Sequence, residues 1–416
     1  LHWMRRWAGG FPIYVAEAKG TRLVDVDGNE YVDFCLGDTG GMCGHGHPAV
    51  AEAVSRQLAS GASMMLPTMD SLRVGEELKR RFALPFWNFA ISASEANRAV
   101  LRLSRMITGR DKVLVFSGCY HGSVDEAHVE LRAGEMRMRN DIHSNAFDYA
   151  RVSKVVEFND RGALAAALAP GDVACVLAEP AMTNCGMVLP DPGFHDFLGA
   201  ETRRTGTVLI LDETHTISAG PGGFTGAHGL EPDMLVLGKA IAGGIPGAVF
   251  GVTQAIAERV WAAFPALDAS VRQSAHGGFG GTLAGSAVMV AAVRATLEHV
   301  LTDAAFARMI ALAGELAEDA SDRISAAGLP WHVSKIGSRV EYMFTPTAPR
   351  TGSEARSARD GDLELLLHLH LMNRGVLLTP FHNMLLLCPS STAADVERHA
   401  AVFASFVQAL GPGRRR

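Results

Sequence analysis

Val236-Leu237-Gly238-Lys239-Ala240-Ile241-Ala242-Gly243-Gly244 sets a lysine between an apolar run and a loop of small residues. The other five lysines, Lys19, Lys79, Lys112, Lys154 and Lys335, lie in polar contexts. A lysine with apolar flanks loses its proton more readily and becomes an amine nucleophile able to form a Schiff base. The plainer alternative is a strand-end lysine whose stem lies along apolar surface. Upstream, Val208-Leu209-Ile210-Leu211 reads as a buried strand with Asp212 at its carboxyl end, where open α/β sheets bind ligands. A buried carboxylate there needs a cationic partner or hydrogen bonds; a cap or turn residue is the plainer alternative.

Three further stretches are compatible with the same chemistry. Ser92-Ala93-Ser94-Glu95 has the spacing of a capping box, and a helix N-terminus offers free N–H groups to a phosphate. Ser117-Gly118-Cys119-Tyr120-His121-Gly122 puts an aromatic in a glycine-flanked loop, able to stack on a planar ring. Gly277-Gly278-Phe279-Gly280-Gly281-Thr282 is a glycine-rich turn with a terminal hydroxyl. Each alone reads equally well as a cap or a turn. Together, a Schiff-base lysine, a carboxylate for a pyridinium nitrogen, a phosphate cradle and a stacking aromatic are what pyridoxal 5'-phosphate requires.

The elements needed to position these residues are also legible. Apolar runs at Val113–Phe116, Val173–Leu177, Val208–Leu211, Met234–Leu237 and Ala248–Val252 alternate with helical stretches such as Glu95–Thr108 and Gly193–Thr205. That pattern predicts an α/β fold with a mostly parallel central sheet covered on both faces. Short strands precede it at Ile13–Val15, Arg22–Asp25 and Tyr31–Phe34, and Pro48 opens a helix. Helices are expected over Leu283–Leu301 and Ala304–Ala327, then strands at Arg339–Phe344, Val376–Thr379 and Met384–Cys388, and a closing helix Ala393–Leu410. Polar Arg350–Asp362 is expected to be a mobile loop. The predicted division is 1–47 as the N-terminal part of a small domain, 48–296 as the large cofactor-binding domain and 297–416 as the rest of the small domain.

Composition narrows the partners. A chain of 416 residues with 48% hydrophobic and 20% charged residues is too long for one small core and is not disordered. Its net charge of -6 gives no basic surface for nucleic acid. No apolar run reaches the ~18 residues of a membrane span. Cys35, Cys43, Cys119, Cys175, Cys185 and Cys388 include no C-x-x-C pair, which fits free thiols in a reducing cytoplasm. No signal peptide is visible, and Leu1 in place of Met leads to the expectation that native residues precede it. Gly44-His45-Gly46-His47 lacks a suitably spaced third ligand, so no metal is expected.

The chain resembles the class III aminotransferases, including the glutamate-1-semialdehyde aminomutases and β-amino acid transaminases. The matching stretches are Asp25–Phe34, Gly44–Pro48, Ser92–Asn97, Thr108–Lys112, Gly118–Gly122, Ala178-Glu179-Pro180, Leu211-Asp212-Glu213 and Gly238-Lys239-Ala240 with Gly243-Gly244. The resemblance runs along nearly the whole chain and implies fold type I, with N- and C-terminal segments building the smaller domain. It assigns Lys239 as the cofactor lysine and proton carrier, and Asp212 as the partner of the ring nitrogen. Ser92, Ala93 and Ser94 would meet the phosphate, Tyr120 would stack beside His121, and Glu179 would lie near the ring hydroxyl. Gly281 and Thr282 would reach the phosphate of a neighbouring subunit, so a homodimer is expected.

Departures from the family pattern bear on the substrate. Thr214-His215 stands where Val-Met is usual, so Thr214 meets the ring's back face, and His215 reads as an ordinary loop histidine. Phe381 replaces a frequent arginine, and Trp3, Arg5, Arg6, His382 and Asn383 are the remaining substrate-site candidates. These features predict an aminotransferase passing nitrogen from an amine, or an ω- or β-amino acid, to an oxo acid. The alternatives are an aminomutase of the glutamate-1-semialdehyde type and a cofactor-binding protein without catalysis.

Overall fold

A computed structural model describes residues 13–139, 148–263, 280–379 and 381–411. Its centre is a seven-stranded sheet in the order Phe86–Ala90, Ala248–Val252, Met234–Leu237, Val208–Asp212, Val173–Ala178, Lys112–Phe116 and Ser153–Val156. Five neighbouring strands, from Met234–Leu237 to Ser153–Val156, run parallel. Ala248–Val252 runs against both of its neighbours, so the sheet is mostly parallel, as the pattern predicts. Strands Val173–Ala178, Val208–Asp212 and Met234–Leu237 are buried at every position, which is why they read as continuous apolar runs and not as alternating ones. The two edge strands, Phe86–Ala90 and Ser153–Val156, lack that run and are not evident in the sequence.

A second, four-stranded sheet joins distant parts of the chain. Val15–Lys19, Arg22–Asp25 and Glu30–Asp33 form a meander, and Val376–Leu377 adds to it in parallel, with Val376 opposite Val32. A three-stranded antiparallel sheet follows from His332–Ile336, Arg339–Met343 and Met384–Leu386. Helices Asp303–Ala326 and Ala393–Leu410 pack on it. One apolar cluster fills the large sheet, with Val115, Leu177 and Ile210. Another ties Val50, Leu78 and Val290 to Leu312, Tyr342 and Phe403.

Two expectations are corrected. Leu283–Leu301 is not one helix: Gly285 is left-handed at φ 71°, Ser286 caps Ala287–Ala295 by accepting from Met289 N, and a π-turn runs over Thr296–Val300. Arg350–Asp362 is not a loop but the start of two helices, Gly352–Ser357 and Gly361–Met372. Thr351 caps the first and Asp360 the second. Arg356 ties this segment to Glu130 at 2.7 Å, and Arg350 pairs with Asp191.

Two glycines let this C-terminal region approach the large sheet. A Cβ at Gly352 would fall 1.8 Å from the Ser117 carbonyl oxygen, and one at Gly337, left-handed at φ 54°, would fall 2.2 Å from the Ser218 carbonyl oxygen. No other residue type fits either contact without displacing backbone.

Candidate active site

Strand direction gathers the chemistry on one edge. Asp212 ends its strand, Lys239 follows Met234–Leu237 by two residues, Glu179 directly follows Val173–Ala178, and Tyr120 and His121 lie just beyond Lys112–Phe116. Four adjacent parallel strands therefore present these residues at their carboxyl ends, where ligand sites form in such sheets. The N-terminus of helix Ala93–Thr108 opens on the same side, after Phe86–Ala90.

The helix start is a tight cradle. Ser92 Oγ accepts from Glu95 N at 3.3 Å. Glu95 Oε2 accepts from Ile91 N at 2.6 Å, one residue before the cap, so the capping box is displaced by one position. Ser94 Oγ accepts from Ser123 N at 2.9 Å. A Cβ at Gly122 would lie 2.0 Å from Ser94 Oγ, and one at Gly238 would lie 2.8 Å from Ala93 Cβ. The Tyr120 loop and the Lys239 loop thus close on Ser92–Ser94 from two sides.

Asp212 is buried and firmly held. Its Oδ2 accepts from Asn97 Nδ2 at 2.8 Å and pairs with His121 Nδ1 at 2.9 Å, while Oδ1 accepts from Thr214 N at 3.1 Å. Burial would raise its pKa, but the bonds and charge of His121, with Thr214 and Asn97, hold it to about 2. His121 shows the converse: burial opposes its charge, yet Cys119 and the Asp212 carboxylate raise it well above the ordinary value. Around this carboxylate, Asn97 Oδ1, His121 Nε2 and Thr214 Oγ1 are buried polar atoms without partners. The Tyr120 ring is 39% exposed and faces the edge of His128. Glu179 accepts from Tyr120 N, Asn184 Nδ2, Thr183 N and Thr183 Oγ1, fixing the Tyr120 loop.

Lys239 is a non-glycine residue in left-handed backbone, at φ 46°, a conformation that tends to persist where surrounding structure enforces it. Its side chain is 28% exposed, less enclosed than its apolar flanks suggest. Nζ lies 2.6 Å from Asp38 Oδ2 and 2.6 Å from His215 Nε2. His215 is therefore not an ordinary loop histidine but a neighbour of Lys239. Its Nδ1 is 2.9 Å from Thr39 Oγ1, and fully buried Arg339 donates to the same hydroxyl at 2.5 Å. Burial would raise the Asp38 carboxyl; the Lys239 ammonium beside it instead holds it well below the usual carboxylate range. Burial, Lys239 and Arg339 keep His215 well below its ordinary value, outweighing the pull of Asp38, so its ring is neutral.

Other candidates are spread out. His382 Nδ1 pairs with Glu341 Oε1 at 2.9 Å, and the Phe381 ring lies beside His382 with centroids 5.0 Å apart. Asn383 donates to the Tyr342 carbonyl, and its Oδ1 lies 3.2 Å from His368 Nε2, so one end of its amide is held by strand Arg339–Met343 and the other by helix Gly361–Met372. Gly281 and Thr282 are exposed. Trp3, Arg5 and Arg6 lie outside the described residues. Sequence reasoning missed Asp38, Thr39, Asn97 and Arg339; an aspartate inside the Gly37–Gly41 loop was the one available signal.

The family model for aminotransferase class-III matches residues 3–410. The chain belongs to the class III aminotransferases. A glutamate-1-semialdehyde 2,1-aminomutase of Anaeromyxobacter sp. (strain Fw109-5) is 32% identical, covering 97% of this chain and 93% of the relative. A glutamate-1-semialdehyde-aminomutase structure from Pseudomonas aeruginosa PAO1, in complex with PMP, is 55% identical with a TM-score of 0.94. It covers 97% of this chain and 89% of its own. An ω-transaminase structure from Sphaerobacter thermophilus is 28% identical with a TM-score of 0.86, over 98% and 93% of the two chains. The cofactor of this class III aminotransferase is pyridoxal phosphate. Its residues fit that group: an ionised buried carboxylate, unpartnered polar atoms around it, a glycine-lined helix start and an available tyrosine ring share one sheet edge.

Proposed function

We propose that this enzyme is a transaminase whose donor is an amine, or an ω- or β-amino acid with its carboxylate away from the reacting carbon, and whose acceptor is an oxo acid. The observation that carries this reading is Asp38, a carboxylate 2.6 Å from Lys239 Nζ. An acidic group at the reacting nitrogen favours an ammonium, and the guanidinium in this cluster, Arg339, is fully buried and directed at Thr39.

When bound, pyridoxal phosphate supplies an electron sink that lets a hydrogen beside nitrogen leave as a proton. Lys239 Nζ is the group that would hold the cofactor and, once released, would carry that proton. Asp212, kept ionised by its hydrogen bonds, would pair with the ring nitrogen and stabilise positive charge there. The Ser92–Ser94 cradle would hold the phosphate, and Tyr120 would stack on the ring. A second copy of this chain would cover the apolar groove lined by the exposed Leu58, Ile91 and Leu283 and would bring Gly281 and Thr282 to the partner's phosphate. An unpartnered apolar group of this kind marks an interaction surface. Dilution to monomers is expected to release cofactor; a fully active monomer by sedimentation would contradict the assembly.

A second reading, an aminomutase moving nitrogen within one substrate, is supported by the names of the relatives above. Single-turnover conversion of the cofactor separates the two. Conversion by alkyl or arylalkyl amines or β-amino acids, with release of a keto product, is expected. Conversion only by glutamate 1-semialdehyde, with no net keto product, overturns the transaminase reading.

A further inference from the structure

Lys239 Nζ is held between two groups brought from different parts of the chain, Asp38 of the glycine-rich loop and His215 of the segment after Asp212. An ammonium has only hydrogens to offer, so it donates to both Asp38 Oδ2 and His215 Nε2. That choice fixes the imidazole: Nε2 carries the lone pair and Nδ1 the hydrogen, which it donates to Thr39 Oγ1. Arg339 Nη2 donates to the same hydroxyl and lies 3.2 Å from Nδ1. Burial and the cations facing the imidazole favour a neutral ring, and Asp38 alone opposes them. Lys239 and Arg339 lie on two sides, His382 adds to them, and Asp38 Oδ2 stands 3.9 Å from Nε2. Behind Arg339 stand Glu341 and Glu179.

This arrangement distinguishes two conditions of the lysine. As a free ammonium, Lys239 satisfies Asp38 and His215 together. Covalently attached to the cofactor, Nζ leaves them, and Asp38 keeps a largely buried charge whose Oδ1 has no partner. A buried charge stripped of its counter-ion is destabilising. We propose that Asp38 and His215 form a seat for the released Lys239 ammonium, stabilising the enzyme form in which the lysine is free and the cofactor carries the amino group. Such a seat lengthens the life of the aminated form between departure of one substrate and arrival of the next. The proposal rests on Lys239 being the cofactor lysine.

The test is the ratio of two dissociation constants in the dimeric protein stripped of cofactor. Pyridoxamine phosphate leaves the lysine seated, whereas pyridoxal phosphate draws it away. In Asp38→Asn and His215→Leu, pyridoxal phosphate is expected to gain roughly 10-fold in affinity relative to pyridoxamine phosphate, with His215→Gln between them and wild type. An unchanged or reversed ratio overturns the seat. Because both constants come from one preparation, general loss of structure lowers both and does not mimic the result. Should the variants fail to fold, lysine-selective 15N NMR of wild type with pyridoxamine phosphate decides. An exchange-protected ammonium signal missing from Lys239→Ala supports the seat, and no such signal overturns it. Borohydride reduction with pyridoxal phosphate separates the two layers. A label on another lysine removes the functional reading as well, whereas a label on Lys239 with an unchanged ratio removes only the seat.

Discussion

The two ends of the site are built differently. Around Asp212, three N–H groups from nearby strand ends and one helix meet both carboxylate oxygens. Around Lys239, the partners come from residues 38–39, 215, 339–341 and 382. Several buried atoms there remain unpartnered, namely Asp38 Oδ1, Arg339 Nε and Nη1, Glu341 Oε2 and His382 Nε2. At the Asp212 end the carboxylate itself is saturated, and the unpartnered atoms, Asn97 Oδ1, His121 Nε2 and Thr214 Oγ1, belong to the residues that fix it. At the Lys239 end the spare donors and acceptors are spread over four residues and can accept a ligand's polar groups. The Asp212 end thus suits an invariant ring, and the Lys239 end a variable substrate.

Breaking each end tests this contrast. Lys239→Ala is expected to lower turnover by roughly 10^4-fold and to remove the visible absorbance of the covalently held cofactor. Retained absorbance would place the link on another lysine. Asp212→Asn is expected to leave cofactor binding measurable while slowing proton removal by about 10^3-fold; near-normal single-turnover rates would remove Asp212 from its role. Away from both ends, Gly352→Ala forces a Cβ against the Ser117 carbonyl and is expected to cost about 3 kcal/mol. A melting temperature within a degree of wild type would show that the contact relaxes freely.

The smallest expected effect concerns pH, with opposite signs at the two ends. His121 has a raised folded pKa, so its contribution is complete below the ordinary 6.5 and is lost as pH rises through the folded value. His215 has a lowered one, so its contribution is present above 6.5 and is lost as pH falls. Between pH 6.5 and 5.5, His215→Leu should therefore gain on wild type by roughly 1 kcal/mol, and His121→Leu should lose by only about 0.3 kcal/mol, because the His121 contribution is already nearly complete there. Denaturant titrations at the two pH values giving the same sign for both variants would contradict the assigned charges.

The same contrast explains what could be read from the sequence. Asp212, Lys239, Tyr120 and the Ser92 turn each sit beside an apolar run or a cap, so local pattern gives both the element and the residue. Strand Ser153–Val156 escaped notice because half its positions are only partly buried. The segment after Arg350 reads as a loop because its first helix, Gly352–Ser357, is polar and only six residues long, and the leucine-rich part of the second begins only at Leu363. Thr39 and Arg339 are separated by 300 positions and meet only through the fold, so no local pattern announces them. His215 was misread for the same reason: its partners lie in other segments.

The close approaches at Gly337 and Gly352 bear on how this enzyme can diversify. Each lies against a segment that also carries active-site residues, one next to the Tyr120 loop and the other just beyond His215. A side chain at either position would shift those segments by an ångström or more, the scale on which reactive geometry is lost. Variation toward new substrates is thereby channelled away from the contact between the two regions and toward the pocket wall. Libraries that vary the substrate-site candidate Phe381 while leaving both glycines untouched should hold far more active members than libraries that open the glycines.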